Sequence, residues 1–252
     1  MTAIRSALFQ VAFHVVTLLY MLALLPALPF ISRQTLWRIG VLGWVRAVAV
    51  LLRVLVGIRA EVTGTEHIPE GPLLIAAKHQ SAWETLALLP YFSDPAFILK
   101  RELMRIPIFG WFAAKARMIP VDRSAGSAAL KAMTRAARAE IAGGRQILIF
   151  PEGTRRPPGA PPAYKFGVAH LYASLGVPCL PVALNSGLYW PRRALNFRPG
   201  TIKVEFLPAL PPGLRREEFL ARMEREIETA SDRLLAEGRA ALAEAPGTGR
   251  EG

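Results

Sequence analysis

Leu73-Leu74-Ile75-Ala76-Ala77-Lys78-His79-Gln80-Ser81-Ala82-Trp83-Glu84-Thr85 is the stretch on which the reading of this chain turns. Its apolar run, 73–77, predicts a short buried strand, and Trp83 onward predicts a helix. His79 then lies in the turn between them, two residues before Ser81, a residue type that caps helices. Such turns at strand ends in α/β domains are where chemistry collects, because the strands hold them rigidly at one edge of a sheet.

Two readings of His79 and Glu84 stand side by side. In one, Ser81-x-x-Glu84 is a capping box. Ser81 accepts from the amide of Glu84, and the Glu84 carboxylate returns to the amide of Ser81. In the other, His79 is a general base. Glu84 then fixes its tautomer and stabilises the imidazolium that forms.

Outward from this stretch the pattern is strand–helix alternation. Strands are predicted over 58–63, 72–77, 96–100, 117–121, 146–150, 177–184 and 201–207. Helices are predicted over 83–91, 109–114, 128–142, 166–175 and 216–237. The expected fold class is α/β: a mixed, mostly parallel sheet covered by helices, with an N-terminal two-helix membrane-associated arm. The expected division is 1–57 for the arm, 58–240 for the α/β domain and 241–252 for a mobile tail rich in Gly, Ala and Glu.

The arm is read from charge as much as from hydropathy. Net charge is +12, yet no Asp or Glu precedes Glu61, whereas Arg5, Arg33, Arg38, Arg46, Arg53 and Arg59 do. Residues 6–32 carry no Lys, Arg, Asp or Glu. Residues 7–25 come close to the ~20 needed to span a bilayer as a helix. Pro26 and Pro29 end or kink that helix, and a second apolar segment, 35–56, follows. At helical spacing Arg38, Arg46 and Arg53 fall within about 80° of one another, a narrow basic stripe on an apolar helix. Such a helix lies in an anionic interface with its arginines reaching the headgroups. A hairpin dipping into one leaflet is favoured over a span. If the first helix spans instead, the arginines that follow it put the main domain on the cytoplasmic side. A nucleic-acid binder is opposed, because these arginines sit among Leu, Val and Ile and not among polar and aromatic residues. The single cysteine, Cys179, excludes an intrachain disulfide and a multi-cysteine zinc site, and its apolar surroundings predict a core residue.

Basic residues recur after predicted strands. Phe150-Pro151-Glu152-Gly153-Thr154-Arg155 follows one of them. There Gly153 permits close backbone approach, and Thr154 and Arg155 can donate to an anion. Arg123, Lys100 and Lys165 each follow other strands or their loops. Converging at one edge, they would make a cationic site beside His79 for an anionic substrate. The competing reading is a Pro-Gly turn with solvated arginines, and a surface pair of Arg123 with Asp122. His14 lies in the arm and His67 in a turn, and His170, on a helix, reads as structural.

Taken together, these blocks resemble the 1-acyl-sn-glycerol-3-phosphate acyltransferase family over roughly 58–210. The motifs are His79 and Glu84 in place of His-x-x-x-x-Asp, Arg123 after Ile-Pro-Val-Asp, the full Phe-Pro-Glu-Gly-Thr-Arg at 150–155, and the Pro-containing apolar segment 177–182. Glu84 departs from the usual Asp by one methylene, which still reaches an imidazole. The resemblance implies a fatty acyl transfer to the sn-2 hydroxyl of a membrane lipid acceptor, 1-acyl-glycerol-3-phosphate, giving phosphatidic acid. The donor would be acyl-CoA or acyl carrier protein, with no cofactor and no metal. His79 would be the base and Glu84 its orienter, and a nearby helix N-terminus would help keep the base neutral. Arg123, Glu152, Gly153, Thr154 and Arg155 would hold the acceptor's glycerol phosphate, with Glu152 on a hydroxyl or positioning an arginine. Lys100 and Lys165 join that site as added cations. The alternatives are the same chemistry on another lysolipid, such as a lyso-ornithine lipid, and a non-catalytic membrane scaffold. A serine hydrolase is opposed by the absence of Gly-x-Ser-x-Gly.

Overall fold

The structure, a computed structural model, describes residues 2–193 and 195–244; the side chain of Arg123 lies outside what it describes. Two long helices lead, α1 (Thr2–Leu24) and α2 (Arg33–Val56). The domain then runs β1 (Ile58–Thr63), β2 (Leu74–Ala77), α3 (Glu84–Ala87), β3 (Ala96–Lys100), α4 (Phe109–Lys115), β4 (Ile119–Val121) and α5 (Gly126–Ala142). It ends with β5 (Ile147–Ile149), α6 (Gly167–Leu175), β6 (Cys179–Leu184), β7 (Gly200–Phe206) and α7 (Arg216–Glu244).

The seven strands form one sheet in the order β1-β7-β6-β2-β5-β3-β4. Only the β6–β7 pair is antiparallel; the other neighbours run parallel. The expected mixed, mostly parallel sheet is the one found. The central strands are buried on both faces, which is why they read as continuous apolar runs. Alternate residues of β2 serve different layers. Ile75 and Ala77 pack with Phe9, Val48, Leu52 and Val56 of the arm. Leu74 and Ala76 pack with Met133 and Ala137 of α5, Leu171 of α6 and Ile227 of α7. The arm thus covers one face of the sheet, and α5, α6 and α7 cover the other.

This layering decides where a site can form. β2 lies between β6 and β5, and the chain leaves β2 through α3 on the arm face but leaves β5 through α6 on the opposite face. Connections that part to opposite faces leave a crevice at the C-terminal ends of the strands between them. His79 follows β2 into that crevice.

The arm is an antiparallel hairpin. Trp44 Nε1 donates to Thr17 Oγ1 at 2.9 Å across it. It is fastened to the domain by the fully buried Phe9, which meets Phe197 and Trp190 edge-on, and by the amide of Phe197 donating to Ser6 Oγ at 2.9 Å. Burial of a phenylalanine of this kind contributes roughly 1.5–3 kcal/mol. The outward face of α1 remains apolar and exposed at Ile4, Leu8, Val11, Val15, Leu18 and Leu22. Phe30 at the hairpin turn is 89% exposed, and Trp111 of α4 is 58% exposed. Arg38, Arg46 and Arg53 are all exposed on α2. Both helices are long and apolar enough to cross a membrane. A large exposed apolar surface bordered by arginines marks a membrane contact.

Several element limits differ from expectation. The helix expected over 83–91 is one α turn followed by a 3-10 turn, Leu89–Tyr91, because Pro90 has no N–H to give. Arg117, expected in a strand, has a left-handed backbone (φ 54°) and precedes β4. α7 continues through Ala241 to Glu244, so the expected tail shrinks to 245–252, which lies outside the described residues. Cys179 is fully buried, as expected, and burial pushes its thiol up.

Candidate active site

Glu84 is the hub of the crevice. It is completely buried, and its Oε1 accepts from His79 Nδ1 at 2.9 Å, from the amide of Gln80 at 2.8 Å and from the amide of Ser81 at 2.7 Å. Ser186 Oγ donates to its other oxygen at 2.8 Å. The contact to the ring nitrogen and the contacts to the turn amides are therefore both made by one side chain. The box is displaced, though: Ser81 Oγ accepts from the amide of Trp83 at 3.1 Å and not from that of Glu84.

A carboxylate can only accept, so the contact to Nδ1 assigns a proton to that nitrogen, and in the neutral ring the lone pair is then on Nε2. Nε2 has no partner among the described residues, and the imidazole is 14% exposed. Its flat face lies on Phe150, with ring centroids 4.0 Å apart and planes 17° apart. The ring is thus fixed in tautomer by Glu84 and in plane by Phe150, with its basic nitrogen open. The following helix is a single turn, so its dipole adds little to this arrangement.

The backbone of His79 is clamped by the loop after β5. The Glu152 carboxylate accepts from the His79 amide at 3.4 Å, and the amide of Arg156 donates to the His79 carbonyl at 2.8 Å. Glu152 is buried on Lys78, whose Nζ is 3.2 Å from its Oε1 and 2.6 Å from Glu228 Oε1 on α7. Tyr164 donates its hydroxyl to the same Glu228 oxygen at 2.7 Å. Burial pushes the Glu152 carboxyl up, against the opposing pull of the Lys78 ammonium. Burial, with Glu228 beside it, also pushes the Tyr164 phenol up, so it stays a donor. Among the described residues the Glu152 side chain is bonded to Lys78 and to the His79 amide.

The remaining expected residues fall into two sets. Gly153 has φ 68°, and a Cβ there would come 3.9 Å from Lys165 Cγ, so Lys165 lies over the turn. Thr154 and Lys165 are exposed and Arg155 is half-buried, with the Arg155 carbonyl held by Arg192 Nη1 at 3.0 Å. These four bring donors and positive charge to the loop that clamps His79. Lys100 is not brought in: it is exposed and pairs with Glu102 at 3.2 Å. At the usual spacing of about 4.8 Å, its strand stands roughly 10 Å from β2. The side chain of Arg123 lies outside the described residues. Asp122, beside it in sequence, pairs with Arg101 at 3.3 Å and accepts from the amide of Ser124 at 3.0 Å. Asp122 is held below the usual carboxylate range by Ser124 and then Arg101.

Lys78, Ser186, Glu228 and Phe150 were not singled out as site side chains from the sequence. Two carried a signal. Lys78 is a charge ending a buried strand, and Ser186 lies in Asn185-Ser186-Gly187, a polar cluster directly after the apolar β6. Glu228 carried none, being one of many charges on a long helix. Among the described residues no three His, Cys, Asp or Glu side chains are placed to hold a metal ion.

A parallel-sheet crevice with a carboxylate-oriented histidine and a basic Gly-Thr-Arg turn defines a transferase-type site, and the acyltransferase family model matches residues 59–185. The chain belongs to the acyltransferase family. It is 39% identical to the 1-acyl-sn-glycerol-3-phosphate acyltransferase of Pseudomonas aeruginosa, over 93% of this chain and 91% of that one. With the 1-acyl-sn-glycerol-3-phosphate acyltransferase alpha of Ovis aries it shares 31% identity over 69% of this chain and 62% of the relative. The fold matches the crystal structure of the 1-acyl-sn-glycerophosphate (LPA) acyltransferase PlsC from Thermotoga maritima. The TM-score is 0.75 at 22% identity, over 93% of this chain and 99% of that one.

Proposed function

We propose that the protein moves a fatty acyl group from a thioester, acyl-CoA or acyl carrier protein, to the sn-2 hydroxyl of 1-acyl-sn-glycerol 3-phosphate. The product is phosphatidic acid. The observation that carries this reading is the open Nε2 of an imidazole whose other nitrogen is 2.9 Å from the buried Glu84.

The step is a direct transfer. His79 Nε2 takes the hydroxyl proton as the acceptor oxygen attacks the thioester carbonyl. The Glu84 carboxylate stabilises the imidazolium that forms. As the tetrahedral intermediate collapses, the C–S bond breaks and the thiolate takes the proton from Nε2. One ester and one thiol replace one alcohol and one thioester, and the ring returns to its starting state. The scheme uses no acyl-enzyme, metal or prosthetic group. Arg155, Thr154 and Lys165, with Arg123, hold the acceptor phosphate. Gly153, at φ 68°, lets the backbone of that loop approach the anion, and Glu152 holds the loop to Lys78. The exposed apolar face of α1, with Phe30 and Trp111, seats the enzyme in one leaflet where its acceptor resides. The basic stripe of α2 supports the cytoplasmic face of a bacterial-type inner membrane as the location.

The test is acyl transfer by detergent-solubilised protein, with oleoyl-CoA and oleoyl-acyl carrier protein as donors. Acceptors are lysophosphatidate and a lyso-ornithine lipid. Transfer to lysophosphatidate that disappears in His79→Ala supports the reading. Transfer to the other lipid alone would change the acceptor, and a folded His79→Ala protein with normal turnover would remove the base. Arg155→Ala is expected to raise the acceptor KM with kcat little altered.

A further inference from the structure

A second basic site lies away from His79. Lys131, Thr134, Arg135 and Arg138 of α5, with His170 and Ser174 of α6, line a groove of about 400 Å³ between the two helices. That size is in the range of small-molecule sites. Lys131, Arg135 and Arg138 stand at i, i+4 and i+7, on one face of the helix. The side chains of Lys131, Arg135 and His170 have no ion pair or hydrogen bond among the described residues. Arg138 is spent on the fold: its Nε donates to the Ser174 carbonyl at 2.9 Å and ties the two helices. The one carboxylate of α5, Glu140, is buried and bound to Arg117 and Arg145 at 2.6 Å each, so it does not neutralise the groove. Thr134 is buried in the groove wall with its hydroxyl unpartnered. Concentrated positive charge beside an unsatisfied hydroxyl is what a phosphate ester would complete.

The position of the groove selects the ligand. α5 and α6 belong to the layer opposite the arm, so the groove opens on the far side of the sheet from the membrane-facing surface. A headgroup of the bilayer that holds the arm does not reach it. Yet α5 begins three residues after Arg123, and α6 two residues after Lys165, both at the strand edge that carries His79. At 1.5 Å per residue, Lys131 and Arg138 lie about 8 Å and 18 Å along α5 from that edge. A ligand with its thioester at His79 and its charges far down a flexible linker would bridge the two sites.

We infer that this groove binds the phosphorylated nucleotide end of a coenzyme A thioester, the acyl donor. The inference rests on the acyl-transfer reading for the donor's identity. The acidic surface of a carrier protein is the rival occupant. The recessed, buried and unpartnered Thr134 hydroxyl in the wall of the groove favours a small phosphorylated group, which can enter between the helices, over a flat protein contact.

The experiment pairs binding with kinetics on the full chain in detergent. Calorimetry measures adenosine 3′,5′-bisphosphate binding to wild type, to His79→Ala and to Lys131→Ala/Arg135→Ala. Both substitutions in the double variant are exposed and helix-compatible. Thr134→Val is a milder companion. Wild type and His79→Ala are expected to bind alike, and the double variant to bind at least about tenfold more weakly, having lost two charge-assisted contacts. Its KM for oleoyl-CoA should rise by a similar factor, with kcat and the acceptor KM unchanged. Unchanged binding and unchanged donor KM would overturn the inference. Equal displacement of the bisphosphate by inorganic phosphate would reduce the groove to a plain anion site and overturn it too. A defect confined to oleoyl-acyl carrier protein would reassign it to a protein surface. Groove-dependent bisphosphate binding by a protein that does not acylate lysophosphatidate would sink the acceptor reading and leave this one standing.

Discussion

Lys78 Nζ lies 2.6 Å from Glu228 Oε1, so the residue next to the candidate base is held by a helix 150 positions away in sequence. Lys78 also faces Glu152, which holds the His79 amide. The position of the imidazole therefore depends on α7, which lies beyond the stretch matched by the family model.

Removing the cation leaves the buried Glu152 and the partly buried Glu228 without their counter-charge. Lys78→Met is expected to lose about 3–5 kcal/mol of stability, the usual cost of breaking a buried pair from one side. Adding Glu152→Gln should recover about 1–3 kcal/mol of that loss, because contacting charges couple. A double-mutant cycle by urea unfolding measures the coupling. Additive losses would mean that the two side chains do not act as a pair.

The same cluster sets a pH dependence. Glu152 is raised above its unfolded value by burial, with Lys78 opposing. The folded chain then holds that proton more tightly, so the contribution of Glu152 is fully present below the unfolded value and is lost as pH rises through the folded value. Lys78→Met removes the opposing charge and should push the carboxyl further up. Its Tm deficit relative to wild type should be larger near pH 8 than near pH 5. A deficit that shrinks as pH rises would contradict the assigned sign.

Glu84→Gln keeps an oxygen to accept from the ring but removes the negative charge that stabilises imidazolium, and it offers an NH2 where Ser186 donates. A loss of about 10²–10⁴-fold in kcat is expected, in the range of general-base effects, with the acceptor KM little changed. Steady-state kinetics on a variant with native circular dichroism checks it. A change in KM alone would make Glu84 a cap without a part in the chemistry.

Arg145 tests a feature remote from the chemistry. It is buried, bonded to Glu140 at 2.6 Å and Asp94 at 3.1 Å, and donates to the Ala116 carbonyl at 3.0 Å. Arg145→Ala should destabilise by about 3–5 kcal/mol. Activity per folded molecule should be retained, as judged by kcat against unfolding midpoint.

Phe30→Ala with Trp111→Ala removes two exposed apolar side chains from the membrane-facing surface. Binding to anionic vesicles should weaken by at least about tenfold, given 1.5–3 kcal/mol for each large side chain buried. Flotation with liposomes reads this, and undiminished binding would move the contact elsewhere.

What the sequence determined by itself was local. Strand limits at Ile58–Thr63 and Ala96–Lys100 match residue for residue, because apolar runs and the turn residues that bound them act over a few positions. The pairing of His79 with Glu84 was also legible, since five residues across a turn is a local distance. Phe-Pro-Glu-Gly-Thr-Arg marked the loop but not its use. Only the tertiary structure decided that Glu152 turns inward to Lys78, that Phe150 lies flat on His79, and that Ser186 completes the shell of Glu84 from 102 positions away. It also decided that Lys100 stays with Glu102 at the surface. Periodicity shows which face of an element is buried. Which charge meets which across the sheet depends on strand order and on the face each crossover takes, and neither is written in the neighbours of a residue.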